Sequence, residues 1–420
     1  MQTIHRLFSS LAISIISTCP LPGIFLRRQA PICLVMLFGL AGCAQKTKFQ
    51  SPTPVVAEPE TAPTPRHGSS ASQWIDRTAT LAPDAAIPAA GEDCAMIYDP
   101  VQHRIILFGG KDNANQNLNE TWALDLAQNL WQKLATTGEP PPASEDHAVI
   151  YDPLGQRMIL QGGEDGLTTN KLWALDLRTQ HWRNMTDSTA PAREDHSAIY
   201  DSFSKRLVIF GGQQNDGQFV RTNLNDLWTL NLDPTSPYFE QWQSLTSKDN
   251  LPPGRSDHVA VYDEKKNRMV IYGGWDKDQK VSFDDTWAFY FPKISYAPGR
   301  WRQLKTRQSY PPARRHATGV YDATRNWLII FGGFGREGYL NDVWAFDLEY
   351  DVWLNLTPGP QPRLDHQAIF DPRSQRLIIY GGDAKLGNKF HDLWELQIQP
   401  NLPLELMRKE AGAQPDQSKQ

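Results

Sequence analysis

Cysteine is scarce in this chain, which has four cysteines among its 420 residues. Cys19, Cys33 and Cys43 all lie within the first 43 residues, so Cys94 is the single cysteine of the remainder. A lone cysteine cannot form an intramolecular disulfide, and stability must therefore come from a buried core. A closed domain of about 325 residues is long enough to bury one.

Acidic residues are missing from residues 1–43, where Arg27 and Arg28 precede the apolar run 32–40. A basic flank, a short apolar core and small residues before a cut are typical of an export signal rather than a membrane span. The run ends in Leu40-Ala41-Gly42-Cys43, which resembles the lipobox of bacterial lipoproteins, where the cysteine becomes the lipidated first residue.

This resemblance implies that residues 1–43 are a signal peptide and that Cys43 carries a lipid anchor. Ala44, rather than an aspartate, follows the cysteine, which predicts the outer membrane in a diderm host. The expected location is the bacterial cell envelope, on its periplasmic or external face. A second apolar stretch at 7–16 leaves open a later start codon, and a plain cleaved signal or an uncleaved anchor remain alternatives.

Apolar residues are few in two further segments. Residues 44–72 are rich in Pro, Ala, Thr and Ser, a composition that favours an extended, semi-rigid linker without a packed core. Residues 400–420 form a polar tail that we expect to fray, although the apolar stretch 402–407 could instead supply a strand.

Excess positive charge is also lacking. The formal net charge is −5, and removing residues 1–43 deletes three arginines and no acid, which gives −8 for the mature chain. An acidic chain has no electrostatic footprint for nucleic acid, so we expect no nucleic-acid partner.

What the chain has in abundance is a repeat. Six Gly-Gly pairs follow six short apolar runs at intervals of 53, 49, 62, 59 and 49 residues. The pairs lie at Gly109-Gly110, Gly162-Gly163, Gly211-Gly212, Gly273-Gly274, Gly332-Gly333 and Gly381-Gly382, and a tryptophan follows each of them: Trp122, Trp173, Trp228, Trp287, Trp344 and Trp394. Four-stranded units with a period near fifty residues are typical of propeller blades.

A second tryptophan follows 9 to 14 residues later in the first five units, but not after Trp394. The missing partner lies at the other end of the domain as Trp74. The displacement predicts that an N-terminal strand completes the last blade and closes the ring.

The repeat resembles that of the kelch family through its Gly-Gly pairs, its paired tryptophans and motifs such as Asn225-Asp226-Leu227-Trp228. The resemblance covers residues 73–399. It implies an all-β fold, a six-bladed kelch-type β-propeller closed by an N-terminal strand, and it leaves function open, since such propellers host binding modules and enzymes.

The loops that enter the first strands suggest a ring of histidines, His147, His196, His258, His316 and His366, with Cys94 in the first unit. One histidine per blade around a ring is too dispersed for a metal, which needs several ligands around one point, so we expect structural histidines, no metal and no cofactor. Glu92 and Asp93 would raise the pKa of the Cys94 thiol, so a packed residue is favoured over a nucleophile.

The candidate ligand surface lies on the same face, over blades four and five. Trp275 lies outside the packing register of the other tryptophans, and Phe334 holds the equivalent position on the next blade. Aromatic rings beside guanidinium groups suit an acidic glycan or an acidic peptide. The predicted ligand-binding residues are Trp275, Phe334, Arg336, Arg255, Arg314 and Arg315.

The favoured function is therefore a non-catalytic, envelope-anchored module that binds a protein or a glycan. The alternative is a sugar-acting envelope enzyme similar to sialic acid mutarotases or, with less support, a galactose-oxidase-like oxidase that uses copper and a Cys–Tyr crosslink. No motif assigns catalytic residues for either enzyme, and the sequence leaves the oligomeric state open.

Overall fold

The computed structural model describes residues 72–81, 85–89, 91–164, 166–187, 189–215, 221–245, 247, 250–292, 298–306, 310–384, 387–398 and 409. The predicted signal peptide, Cys43 and nearly all of the predicted linker and tail lie outside these residues. Within the described residues no helix is long and apolar enough to cross a bilayer.

The main part of the described chain forms six antiparallel sheets with four main strands each, and we call these sheets blades 1 to 6. The four strands follow one another along the chain in blades 1 to 5, whereas blade 6 takes its outermost strand from residues 72–76. Apolar, β-branched and aromatic residues dominate the first three strands of each blade, as expected for strands buried on both faces. From the first to the fourth strand, the bounds are, in blade 1, Ala95–Asp99, Arg104–Phe108, Thr121–Asp125 and Leu130–Lys133; in blade 2, Ala148–Asp152, Arg157–Gln161, Leu172–Asp176 and His181–Asn184; and in blade 3, Ser197–Asp201, Arg206–Phe210, Leu227–Asn231 and Trp242–Ser244. They are, in blade 4, Val259–Asp263, Arg268–Tyr272, Thr286–Tyr290 and Arg300–Leu304; in blade 5, Thr318–Asp322, Trp327–Phe331, Val343–Asp347 and Val352–Asn355; and in blade 6, Gln367–Asp371, Arg376–Tyr380, Leu393–Ile398 and Ser72–Asp76.

Shorter strands decorate this frame. Thr137–Gly138 adds a parallel strand to the outer edge of blade 2. Two-stranded hairpins follow several of the Gly-Gly pairs: Gln213–Asn215 with Arg221–Asn223, Trp275–Asp276 with Val281–Ser282, Phe334–Gly335 with Gly338–Tyr339, and Asp383–Ala384 with Asn388–Lys389. Arg314–Arg315 pairs with the third of these hairpins.

The N-terminal strand closes the ring, as the displaced Trp74 predicts. Ser72 pairs with Ile398 and Asp76 with Trp394, so Ser72–Asp76 is the fourth, outermost strand of blade 6. The indole of Trp74 packs against Phe331 of blade 5, with ring centroids 5.4 Å apart. The first strand of each blade also contacts the first strands of its two neighbours, and that of blade 6 contacts that of blade 1. The predicted all-β propeller, closed by an N-terminal strand, is thereby confirmed.

The hydrophobic core lies between the blades rather than inside any one of them. Each of its six clusters takes side chains from two adjacent blades, such as Phe108 of blade 1 with Trp182 of blade 2. Those two rings lie 5.0 Å apart in an edge-on arrangement. The second tryptophan of a unit therefore packs against the preceding blade, which explains why the ring needs a tryptophan from the N-terminal strand.

The Gly-Gly pairs let two blades approach closely at the end of each second strand. Gly211 and Gly212 have φ angles of 64° and 85°, which favour glycine. A Cβ on Gly211 would lie 2.8 Å from the carbonyl oxygen of Arg255, on the loop that enters the next blade. Only glycine fits both the backbone conformation and the contact.

The propeller has two faces, which we name by their loops. The entry face carries the loops that enter the first strands and the loops that follow the Gly-Gly pairs. The hairpin face carries the turns between first and second strands and between third and fourth strands. The central channel runs between the two faces, along the six first strands.

The Asn-Asp-Leu/Val-Trp motif organises the entry face through a buried arginine. In blade 4 the guanidinium of Arg255 donates to both carboxylate oxygens of Asp285, at 2.6 and 3.1 Å, and to the carbonyl of Gly273 at 2.9 Å. The indole of Trp287 donates to the same carboxylate at 2.7 Å. The same Arg–Asp–Trp arrangement recurs as Arg193–Asp226–Trp228, Arg314–Asp342–Trp344 and Arg363–Asp392–Trp394.

This arrangement corrects two predicted ligand contacts. Arg255 and Arg314 are completely buried, and their donors are taken by the aspartate and backbone carbonyls of their own blades. The sequence placed them correctly on the entry-face loops. It did not reveal that the aspartate some thirty residues later turns each guanidinium inward, away from a ligand.

Candidate functional site

Six residues, one from each blade, form a ring where the central channel opens on the entry face. All six have φ angles between 52° and 58°, so the backbone makes the same left-handed step in every blade. Backbone N–H groups donate from one ring residue to the carbonyl of the preceding one, as Asp257 does to Asp195 at 3.0 Å. The ring consists of Asp93, Asp146, Asp195, Asp257, His316 and Asp365.

His316 therefore lies in the aspartate register, and the predicted ring of five histidines is wrong at this position. In blade 4 the sequence Arg255-Ser256-Asp257-His258 places the aspartate on the ring, whereas blade 5 reads Arg314-Arg315-His316-Ala317. Counting from the buried arginine gives the correct register. That arginine is recognisable only after the structure shows what it binds.

The four remaining histidines form a buried layer just below the ring. His258 and the Ser197 hydroxyl of the preceding blade lie 2.8 Å apart, and His366 and the Thr318 hydroxyl lie 2.7 Å apart. Burial lowers the pKa of His258 to about 3 and that of His147 to about 4, so both stay neutral. His258 and His366 thus link neighbouring blades through hydroxyl groups, whereas His147 lies 2.7 Å from the hydroxyl of Ser144 in its own blade.

Cys94 holds the equivalent position in blade 1 and is 3% exposed. Burial, followed by the charge of Asp93, raises the pKa of its thiol far above the ordinary range. The sequence favoured a packed residue over a nucleophile, and the buried, protonated thiol agrees with that prediction.

The ring brings five carboxyl groups together with one imidazole. Burial and neighbouring carboxylates raise the pKa values of Asp93, Asp146 and Asp195 well above their usual range. Burial alone would lower the pKa of His316, but Asp257 and Asp365 raise it to about 10. Nδ1 of His316 lies 3.1 Å from Asp257 and 2.7 Å from Asp365, so the imidazolium neutralises part of the ring at neutral pH.

Above the ring lies an open cavity of about 350 Å³. Its floor is the ring, and its walls come from the short hairpins and loops of several blades. The wall residues are Lys111, Glu145, Gln213, Arg221, Trp275, Lys277 and Arg315. The sequence indicated Trp275 and Arg315 but missed Arg221 and Lys277, because each lies in an insertion whose hairpin path the repeat pattern does not specify.

Three stacked side chains form the wall on one side, and two of them, Trp275 and Arg315, line the cavity itself. The guanidinium carbon of Arg315 lies 4.1 Å from the ring centroid of Trp275 and 4.8 Å from that of Phe334. All three side chains are partly exposed, and Arg336 is exposed at the tip of the neighbouring hairpin. The structure thus brings together Trp275, Phe334 and Arg315, with Arg336 on the same hairpin as Phe334.

Two groups of carboxylates lie near enough together to hold a metal ion, with ligand oxygens within 4.8 Å of one another. They are Glu92, Asp93 and Asp365, and Asp93, Glu145 and Asp146. Lys389 lies 3.0 Å from Glu92, and Lys111 forms an ion pair with Glu145. In each group one lysine therefore offsets part of the negative charge of the three carboxyl groups.

Two glutamates share one arginine between blades 2 and 3, a combination that could serve in acid–base chemistry. Arg221 contacts Glu164 at 2.7 Å and Glu194 at 2.8 Å. Burial and the nearby Glu164 carboxylate raise the pKa of Glu194 to about 7. The Glu194 side chain is completely buried, however, and is not among the residues that line the cavity.

The fold and its repeated motif define a propeller of kelch repeats, and comparison with known proteins agrees. The family described as the KLHDC2/KLHL20/DRC7 Kelch-repeats domain matches residues 72–190, 153–357 and 235–401. The chain belongs to the kelch-repeat family. Kelch-repeat domains are typically protein-interaction modules.

Relatives of known name share this domain within longer chains. The flagellar outer arm dynein alpha chain of Chlamydomonas reinhardtii is 30% identical over 43% of this chain and 4% of its own length. Adagio-like protein 1 of Oryza sativa subsp. japonica is 28% identical over 60% of this chain and 41% of its own length. The Drosophila melanogaster homolog of leucine-zipper-like transcriptional regulator 1 is 24% identical over 70% and 30%. The matched region thus spans less than half of each relative.

Proposed function

We propose that this chain is an envelope-anchored binding module that captures an acidic segment of a partner protein on the entry face of its propeller. The observation that carries the proposal is the wall formed by Trp275, Arg315 and Phe334. Aromatic and arginine side chains dominate the binding energy of protein interfaces, especially where they are held in place beforehand.

The arginines of this face differ in what their donors already bind. Those of Arg255 and Arg314 are saturated inside their blades. Among the described residues, no carboxylate or carbonyl accepts a hydrogen bond from the guanidinium groups of Arg315 and Arg336. Their planar forks are therefore available to a carboxylate of the ligand, which two parallel hydrogen bonds would hold.

The acidic ring restricts where such a ligand can sit. Asp93, Asp146 and their neighbours form the floor of the cavity, where burial and crowded carboxyl groups raise the pKa values and so disfavour any further negative charge. We place the acidic segment at the rim over blades 4 and 5, with apolar groups against Trp275 and Phe334. An acidic glycan is the competing ligand, and binding of an acidic peptide is compared directly with binding of an acidic glycan.

Arg315→Ala is expected to weaken ligand binding about tenfold or more, which is about 1–2 kcal/mol. The variant loses both the two hydrogen bonds to a ligand carboxylate and the packing of the guanidinium on Trp275 and Phe334. Trp275→Ala is expected to have a similar effect. The measurement is calorimetry with a hexaglutamate peptide and with oligogalacturonate, together with quantitative capture from solubilised envelopes. The peptide is expected to bind and the glycan to bind more weakly or not at all.

The matched control is Arg178→Ala, which removes an exposed arginine from the hairpin face. It should leave binding unchanged, and all three variants should keep the melting temperature of the parent chain. Equal binding by Arg315→Ala, Trp275→Ala and the parent chain would refute this site. Preferential binding of the glycan would refute the protein ligand.

The anchor part of the proposal depends on Leu40-Ala41-Gly42-Cys43, with its small residues before the cysteine. If these residues are a lipobox, the mature chain begins at Cys43, carries several acyl chains and stays with the membrane fraction. A single acyl chain would bind only marginally, whereas several hold the protein. Mass spectrometry of the N-terminal peptide identifies the modified residue.

Cys43→Ser should prevent maturation at this position, while Cys33→Ser, a change in the same apolar run, should not. An unmodified N-terminus at another residue would contradict the anchor. That result would leave the ligand site on the entry face untouched, because the two parts rest on different residues.

A further inference from the structure

Large apolar side chains are exposed unevenly over the propeller. Among the described residues ten of them are exposed, and six of these lie on the hairpin face. All six belong to blades 1 to 3, with exposed fractions between 37% and 65%. We call them the apolar arc: Val101, Leu130, Leu154, Phe203, Tyr238 and Phe239.

The tips of this arc are coplanar because of the repeat. Val101, Leu154 and Phe203 each stand two residues after the aspartate that ends the first strand of their blade. Equivalent positions in successive blades of a propeller lie at one height along its axis, so the three side chains project from one plane. Leu154 and Phe239 also line a groove of about 550 Å³ between blades 2 and 3.

The same register position is basic or neutral in the other blades, where it holds Lys265, Thr324 and Arg373. Lys265 and Arg373 are exposed. Some acids on this face are paired, as Asp233 is with Lys205 at 3.0 Å and Glu240 with Arg157 at 2.9 Å, whereas Glu264 and Glu349 are exposed in its turns. The hairpin face thus combines an apolar arc over blades 1 to 3 with exposed basic side chains at the equivalent tips of blades 4 and 6.

The N-terminal strand enters the propeller at this face. Ser72 pairs with Ile398, at the end of the third strand of blade 6, where that strand reaches the hairpin face. A tether attached before residue 72 would therefore pull on the side that carries the apolar arc.

We propose that the hairpin face docks on the surface of an anionic lipid bilayer. The apolar arc enters the interfacial region of the bilayer. Lys265 and Arg373 contact anionic headgroups, as juxtamembrane lysines and arginines do. Coplanar tips match a flat bilayer better than they match a curved protein surface. The entry face then points away from the membrane and is accessible to its partner.

The test uses the chain from Ala44, which lacks the predicted signal and the acylated cysteine. It is mixed with vesicles of phosphatidylethanolamine and phosphatidylglycerol at a ratio of about 3:1, and bound protein is measured by flotation. The chain is expected to bind these vesicles and to bind phosphatidylcholine vesicles at least about tenfold more weakly. Val101→Ser with Leu154→Ser and Phe203→Ser should reduce binding at least about tenfold.

The matched control makes three equivalent changes on the entry face, Leu167→Ser with Val281→Ser and Tyr310→Ser, at side chains of similar exposure. It should bind as the parent chain does, and both triple variants should keep the parent melting temperature. The proposal is overturned if the parent chain does not float with anionic vesicles or if the two triple variants lose binding equally. It is also overturned if the hairpin-face variant floats normally but loses a protein partner.

Because the chain in this test carries no acyl group, its outcome is independent of Cys43. A failure of the anchor and a failure of this surface are therefore distinguishable. Binding of hexaglutamate on the entry face is independent of both.

Discussion

Deletion of residues 73–79 is expected to lower the thermal stability of the protein more than any other change of similar size. The deletion removes the outermost strand of blade 6 and leaves Leu393–Ile398 as an open sheet edge. It also removes the ion pair of Arg77 with Glu395, at 2.9 Å, and the hydrogen bond from Asn129 of blade 1 to the carbonyl of Arg77, at 3.0 Å. The N-terminal segment thus ties together blades 5, 6 and 1.

Trp74→Ala tests the same closure with one side chain. Trp74 is partly buried against Phe331 and the core cluster between blades 5 and 6, so its truncation should cost about 3 kcal/mol. Deletion of residues 401–420 is the control and should change the melting temperature little. A larger loss from the C-terminal deletion would mean that the tail, not the N-terminal strand, secures the last blade.

Arg255→Ala is expected to destabilise the fold by about 2–4 kcal/mol without any direct role in ligand binding. The substitution leaves the Asp285 carboxylate beside an empty space and removes the guanidinium from the face of Phe283, 4.2 Å from its centroid. Urea denaturation should show a lower midpoint with an unchanged slope.

Arg336→Ala is the matched control, because Arg336 is exposed on the same face. It should leave stability within about 0.5 kcal/mol of the parent value. If Arg255→Ala kept full stability while ligand binding fell, Arg255 would be a ligand contact after all. The four Arg–Asp–Trp groups would then lose their structural explanation.

The repeat made the architecture predictable from the sequence. Gly-Gly pairs and tryptophans recur because each blade packs against its neighbour through the same positive-φ glycines and the same packed indole. Any departure from the repeat is therefore informative. The missing partner of Trp394 led directly to Trp74 and to closure by the N-terminal strand, which the pairing of Ser72–Asp76 confirms.

The candidate site was only partly predictable, because loops on one face differ in which side chains turn inward. Arg255 and Arg315 look equivalent in the sequence, but a distant aspartate buries the first, whereas the second stacks between two rings on the cavity wall. His316 was assigned to the wrong layer because blade 5 replaces Asp-His with His-Ala. Arg221 was missed because only the folded hairpin brings it to the wall.

The most direct test of the proposed function places a photo-crosslinking amino acid at position 336 on the entry face and, in a second variant, at position 265 on the hairpin face. Both positions are exposed, so neither substitution should disturb the fold. In intact cells we expect a discrete protein crosslink from position 336, and in solubilised envelopes hexaglutamate should compete it away. We expect no such protein crosslink from position 265. A competed protein crosslink from position 265 and none from position 336 would contradict it.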